Sequence, residues 1–233
     1  MTAGVAAPRS TVLGQLLPPG VETEECFGEP PGGPLFPEER TVVARAVGTR
    51  RREYATVRRC ARDCLTRLGF PAAPLLPGPG GAPRWPDGAV GSMTHCEGYA
   101  AAAVARQESA PGLGIDAEPD EPLPPGVLEV IATRRERRRL ADHGPIIDGA
   151  HADRLLFSVK EAVYKAWFPC TGQWLDPQET EVTVAPGQGR FGVVLLRDGL
   201  RLEGRRVTHL DGRWTSAHGI LVAAVALPAP HGR

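Results

Sequence analysis

Between residues 50 and 68, apolar side chains recur every three or four positions: Tyr54, Val57, Ala61, Cys64, Leu65 and Leu68. This spacing predicts a helix with one buried stripe, closed by Gly69 and capped at its start by Thr49. A shorter helix is predicted just before it, over Glu38 to Val47. A second long helix is predicted over Ala152 to Phe168, where Leu155, Leu156, Val159, Ala162, Val163, Ala166 and Trp167 share one side. Pro169 is expected to end it, because proline lacks the donor that the next turn needs. Leu128 to His143 reads as a further helix.

Strand patterns cover Ala89 to His95, Leu113 to Glu118, Glu181 to Ala185, Phe191 to Leu196, Arg205 to Leu210 and Ile220 to Ala226. Asp198-Gly199, Asp211-Gly212 and His218-Gly219 read as hairpin-type turns between the later strands. Tyr99 to Arg106 is alanine-rich and suits a helix by propensity, but Val104 and the strand before it favour a hairpin partner. Residues 1 to 40 are rich in Pro and Gly and carry the acidic cluster Glu22, Glu24 and Glu25. They read as a mobile start with a short helix near Val12 to Leu17, then irregular structure. Pro71 to Pro86 is too dense in breakers to be a regular element, and long loops of this kind tend to line sites. Helices and strands thus interleave, an α/β (α+β) pattern, with similar element types on both sides of about residue 111. The expected domains are residues 1–110 and 111–233.

The strand at Leu113-Gly-Ile-Asp-Ala-Glu118 carries the first candidate chemistry. With Leu113, Ile115 and Ala117 on one face, Asp116 and Glu118 project together from the other. Neighbouring carboxylates repel unless a cation or a proton lies between them, and Mg²⁺, which takes oxygen ligands, suits the place. An Asp-x-Glu pair also occurs on many solvated strand edges, so the strand alone does not decide. The helix from Ala152 supplies the second clue. The chain has 27 basic residues, of which only Lys160 and Lys165 are lysines, and both stand beside Glu161. Glu161 and Lys165 have the i, i+4 spacing of an ordinary helix-surface ion pair of ~0.3–0.5 kcal/mol.

Charge narrows the class further. The formal net charge is +0, which argues against a general nucleic-acid-binding role. Arginines cluster locally on the first long helix, from Arg50 to Arg67, and at Arg134, Arg135, Arg137, Arg138 and Arg139. The five cysteines are odd in number and scattered, as expected of reduced thiols. No apolar run is long enough to span a membrane and no signal segment opens the chain, so no membrane partner and a cytoplasmic location are expected. Neither a Walker loop, a dinucleotide glycine fingerprint nor a Gly-x-Ser-x-Gly elbow is present.

Taken together, Ser92-Met-Thr-His95, Gly114-Ile-Asp116-Ala-Glu118 and Lys160-Glu161-Ala-Val-Tyr-Lys165, in that order and at that spacing, strongly resemble the 4′-phosphopantetheinyl transferases of the larger, surfactin-synthetase-activating (Sfp-like) type, most closely the actinobacterial members. The resemblance runs from about Arg45 to the end. It implies two similar α/β halves related by a pseudo-twofold, with the active site between them. It implies transfer of 4′-phosphopantetheine from coenzyme A to a serine of an apo acyl, peptidyl or aryl carrier protein, releasing 3′,5′-ADP, by a monomer. Asp116, Glu118 and Glu161 would hold Mg²⁺, with Mn²⁺ able to replace it, and Glu161 would be the general base. Lys160 and Lys165 would meet phosphate oxygens, and so would His95, oriented by Ser92 and Thr94. Arg50 and Arg58 correspond to residues that grip the 3′-phosphoadenosine end, with the register inside Arg50 to Arg52 open by one. Relatives often carry lysines where this chain has Pro77 to Arg84, leaving Arg84 as the substitute. Phe157 and Tyr164 are candidates for lining the pantetheine path, and the arginine helix at 134 to 139 for docking an acidic carrier. Another Mg²⁺-dependent phosphoryl enzyme, such as a phosphodiesterase, could use the same three carboxylates.

Overall fold

Two antiparallel sheets, each with one 20-residue helix laid against it, organise the chain. The computed structural model describes residues 12–202 and 204–227. In the first half, β1 (Val21–Phe27), β2 (Ala89–Cys96) and β3 (Tyr99–Arg106) form a sheet in the order β1-β3-β2. The short α1 (Pro37–Val42) leads into α2 (Gly48–Arg67), which packs Cys60, Ala61, Cys64 and Leu65 onto Ala102 and Val104 of β3. In the second half, β4 (Leu113–Pro119) is followed by α3 (Val127–Ile131), α4 (Arg134–His143), the two-residue pair β5 (Ile146–Ile147) and β6 (Ala150–His151), and α5 (Ala152–Thr171). Then come β7 (Thr180–Ala185), β8 (Arg190–Leu195), the small pair β9 (Arg201–Leu202) and β10 (Arg205–Arg206), β11 (His209–Ala217) and β12 (Ile220–Ala226). Five of these strands form the second sheet, in the order β4-β12-β11-β8-β7.

The alanine run Tyr99–Arg106 is a strand because both its faces are covered. Ala102 and Val104 meet α2, while Ala101 and Ala103 meet Ile115 and Ala117 of β4 and Val222 of β12. Small side chains let the layers approach closely, and this shared core joins the halves. The opposite face of the second sheet packs on α5 through Val159, Ala162, Val163 and Ala166. Here Gly114 is required by space: a Cβ at that position would lie 1.9 Å from the carbonyl oxygen of Ala162.

Several sequence expectations are corrected by the structure. The stretch read as irregular contains β1, whose glutamates are held by cross-element contacts: Arg67 pairs with Glu22 at 2.7 Å and Glu24 at 3.0 Å. The Tyr99 hydroxyl donates to Glu25. Such a strand is stabilised by ion pairs with α2, so it has no simple hydrophobic alternation to read. The short helix near Val12 to Leu17 is a single 3₁₀ turn at Leu13–Gln15, and the rest of the supposed mobile start, residues 1–11, lies outside the described residues. Helix α1 ends earlier than expected, and the helix expected over Leu128 to His143 is two helices. Thr133 breaks it by forming a capping box, its Oγ1 accepting from the Glu136 N–H at 3.1 Å while Glu136 accepts from the Thr133 N–H at 2.8 Å. Helix α5 runs through Pro169 and stops at Gly172, whose left-handed backbone closes the last turn. Asp211-Gly212 is no turn but part of β11, with Gly212 required because a Cβ would fall 2.1 Å from the Phe191 ring.

Gly114→Ala tests the closest helix–sheet approach. Overpacking against backbone predicts a loss of about 3 kcal/mol in urea unfolding, at the upper end of such substitutions, together with loss of activity.

Candidate active site

The two halves meet along β2 and β4, the edge strands of their sheets. As an edge strand, β4 has backbone N–H groups pointing away from β12 that are buried by the other half. Ser92 Oγ accepts from the Ile115 N–H at 3.1 Å, and Thr94 Oγ1 accepts from the Ala117 N–H at 3.0 Å. The two hydroxyls thus replace a missing strand. Thr94 Oγ1 also donates to Asp116 Oδ1 at 3.4 Å. Ser92 and Thr94 thus register β4 against β2, and both also line the cleft beside His95.

Beside this seam opens a cleft of about 470 Å³. Helix α2 contributes Arg50, Tyr54 and Arg58; β2 contributes Ser92, Thr94 and His95; β4 contributes Asp116; α5 contributes Glu161, Tyr164, Lys165 and Phe168. The loop from Pro77 to Pro83 forms the remaining wall, held as a tight turn by the Gly78 N–H donating to the Ala82 carbonyl at 2.7 Å. Its Gly80 packs on Phe168 with φ +62°, where a Cβ would come within 2.5 Å of that ring. Glycine alone meets both demands.

Arg58 is buried, donates from Nε to the Leu75 carbonyl at 2.9 Å and lies 3.2 Å from the Tyr54 ring centroid. Burial lowers its guanidinium to about 10, still charged at neutral pH. Arg50 is exposed, pairs with Glu53 at 3.3 Å and touches His95 Nε2. Burial, and next the Arg50 charge, lower the His95 imidazole below its ordinary value. Two cations and an imidazole thus line one end of the cleft, with Glu53 the carboxylate paired to Arg50, an arrangement suited to phosphate.

At the other end, Lys165 Nζ donates to Asp116 Oδ1 at 2.7 Å and to the Ile115 carbonyl at 3.1 Å. The i, i+4 pair with Glu161 read from the sequence gives way to this cross-element pair. Burial, then repulsion from Asp116, raise both Glu161 and Glu118 above the ordinary carboxylate value. Glu118 is turned to Arg154, whose Nη1 donates to it at 2.9 Å. Among the described residues, no three carboxylate, imidazole or thiol side chains converge as ligands of one ion. The donor set nevertheless fits a hard cation. Asp116 Oδ2 is buried without a partner, and burial followed by the Asp116 charge raises the proton affinity of Glu118 and Glu161 although Arg154 and Lys165 act against it.

Across Gly80, Glu161 and Tyr164, a second pocket of about 240 Å³ adjoins the cleft, lined also by Lys160, Trp174, Leu175, Pro177 and Thr180. Tyr164 meets Phe168 at 5.6 Å and Trp174 at 5.0 Å between ring centroids. The 63% exposure of Trp174 leaves this aromatic cluster open to solvent.

The chain matches the family model described as 4′-phosphopantetheinyl transferase N-terminal domain over residues 38–105 and that of the 4′-phosphopantetheinyl transferase superfamily over residues 112–216. It is 51% identical over 224 residues to the 4′-phosphopantetheinyl transferase Svp of Streptomyces mobaraensis, covering 95% of this chain and 91% of that one. The chain belongs to the 4′-phosphopantetheinyl transferases. The transferase is also 43% identical to PptT of Mycobacterium tuberculosis, over 93% of its own length and 98% of that protein's. A partial match, 31% over 135 residues, links it to enterobactin synthase component D of Salmonella typhi.

Four expected site residues of the transferase stand outside the cleft: Glu118, which is turned to Arg154, Lys160, which borders only the smaller pocket, Phe157 and Arg84. Lys160 is turned into the protein, donating to Glu136 Oε2 at 2.8 Å, the Pro177 carbonyl at 2.7 Å and the Thr180 carbonyl at 3.0 Å. It has no N–H left for a phosphate. Phe157 packs against the core cluster beneath α5 and lines neither pocket. Arg84 is exposed and outside the cleft, since the turn at Gly78 to Ala82 puts backbone there instead. Sequence reading missed Tyr54 as the platform for Arg58, although the two are i, i+4 neighbours. It also missed Trp174, which carries no positional signal. Arg84→Ala is expected to leave coenzyme A affinity within about twofold, while Arg58→Ala weakens it roughly tenfold or more, as read by calorimetry.

Proposed function

We propose that the cleft binds coenzyme A and that the transferase moves its 4′-phosphopantetheine arm to a serine of an apo carrier protein, releasing 3′,5′-ADP. The observation that carries this reading is the convergence of Arg50, Arg58, His95 and Lys165 in one cleft that ends at Asp116 and Glu161. Arg58 and Arg50 meet the 3′-phosphoadenosine end, and His95 and Lys165 meet the pyrophosphate. The arm continues past Glu161 and Tyr164 into the smaller pocket beside Trp174.

Asp116, Glu118 and Glu161 are the residues that would hold Mg²⁺, or Mn²⁺ in its place. Bound there, the ion supplies positive charge beside the pyrophosphate. The chain's own groups do the rest. The serine oxygen bonds to the phosphorus that carries pantetheine, and the bond from that phosphorus to the oxygen of the departing 3′,5′-ADP breaks. Glu161, on the border of both pockets, takes the hydroxyl proton, directly or through a water. Its raised proton affinity suits that role. Lys165 and His95 stabilise charge on the oxygens around the transfer.

Helix α4 presents Arg134, Arg135, Arg137 and Arg138 to solvent, while Arg139 is tied to Glu181 at 2.7 Å. Arg135 also reaches Glu181 at 3.9 Å, and these exposed arginines would steer an acidic carrier towards Glu161. No helix of the described residues is long and apolar enough to cross a membrane. A monomer working in the cytoplasm on fatty-acid, polyketide or peptide synthetase carriers accords with this reading.

Incubation with coenzyme A, Mg²⁺ and an apo carrier protein should add one phosphopantetheine mass to a serine. Hydrolysis of coenzyme A without a modified carrier would favour a phosphodiesterase instead. Glu161→Gln should bind coenzyme A yet turn over roughly 10²–10⁴-fold more slowly. The lowered His95 value adds a pH signature. A neutral imidazole that meets a phosphate gains a proton, so coenzyme A binding at about pH 6 should take up a proton from buffer, and at about pH 8 should not. Calorimetry in buffers of different ionisation enthalpy reads this uptake, which His95→Asn should abolish.

A further inference from the structure

Lys160 holds together three segments that are distant in sequence. It sits on α5 next to Glu161, and its side chain is 3% exposed. Its three N–H groups meet three acceptors: Glu136 on α4, the Pro177 carbonyl in the turn before β7, and the Thr180 carbonyl at the start of β7. Glu136 is equally occupied, accepting from the Thr133 and Val182 N–H groups at 2.8 and 2.7 Å as well. Pro177 and Thr180 are also walls of the smaller pocket, whose lining includes Glu161, Tyr164 and Trp174 and which Lys160 itself borders, its ammonium taken up by these bonds.

A buried ion pair is a poor way to gain stability, because desolvation offsets much of the attraction and an apolar pair of similar volume would pack as well. Directional bonds to two fixed carbonyls and a carboxylate do what an apolar pair cannot: they set the distance of the Pro177–Thr180 wall from α5. We propose that Lys160 is a positioning residue that fixes this wall of the smaller pocket and thereby holds the pantetheine arm of coenzyme A in line with Glu161. The proposal rests on the reading that the arm occupies that pocket. It differs from a phosphate-binding role in which part of the ligand it affects. A displaced wall disturbs the arm and leaves the nucleotide end untouched.

The test compares coenzyme A with 3′,5′-ADP, which lacks the arm, by calorimetry on Lys160→Met. The expected result is roughly tenfold weaker coenzyme A binding with 3′,5′-ADP affinity held within about twofold. Equal weakening of both ligands would overturn the proposal in favour of a phosphate contact or a general structural role, and unchanged binding of both would overturn it outright. Lys160→Met leaves the buried Glu136 carboxylate without a countercharge, so Lys160→Met with Glu136→Gln, which removes both charges, carries the same comparison if the single variant does not fold. Trp174→Ala tests the underlying reading separately. If it weakens coenzyme A selectively and the Lys160 variants do not, only the role of Lys160 falls. If none of the variants discriminates between the ligands, the route of the arm falls as well.

Discussion

An edge strand buried by a second domain must find partners for the backbone groups on its open side. In this transferase that constraint falls on β4, and two hydroxyls meet it. Ser92 and Thr94 accept from the Ile115 and Ala117 N–H groups, spaced two residues apart as the strand repeat dictates. A buried N–H without a partner costs about 1–3 kcal/mol, so sliding β2 along β4 by one residue is strongly disfavoured. The register of the two halves is therefore set within the cleft itself. Arg50 and Arg58 come from one half, Asp116 and Glu161 from the other, and their relative position depends on this seam.

The same strand is pressed from its other face by α5. At Gly114 the helix touches backbone, which brings Asp116 within reach of Lys165 and Glu161 within electrostatic reach of Asp116. Burial, and then the Asp116 charge, raise the proton affinity of Glu118 and Glu161. The cost in stability is local, and it prepares a place for positive charge. Lys165 already supplies one charge at Asp116 Oδ1, while Oδ2 remains without a partner.

Much of this was legible in the sequence where local pattern and tertiary demand agree. Strand β4, helix α5 and the pairing of Asp116 with Glu118 on one strand face follow from alternation and helical spacing. The hairpin at His218-Gly219 is where the turn residues put it, between Ala217 and Ile220. What was hidden depended on partners distant in the chain. Strand β1 owes its place to Arg67 and Tyr99, and the break before α4 to a capping box whose Glu136 is itself recruited by Lys160. Gly212 imitates a turn signal because it must admit the Phe191 ring. Lys160 shows the limit of motif reading most clearly. A lysine beside the candidate base reads as a phosphate ligand, yet on an α-helix adjacent residues point about 100° apart, and that rotation takes Lys160 inward.

The loop over the cleft has a consequence of its own. Between Pro77 and Pro83 it offers a ligand amide edges, proline rings and the Ala82 methyl, with no side chain that titrates or carries charge. Its contact with a ligand is therefore indifferent to acidity and to added salt, and it selects by contour alone. Ionic-strength dependence in ligand binding at the cleft must then originate in its charged side chains, notably Arg50, Arg58 and Lys165, so a salt series separates what the charges contribute from what the shape of the wall contributes.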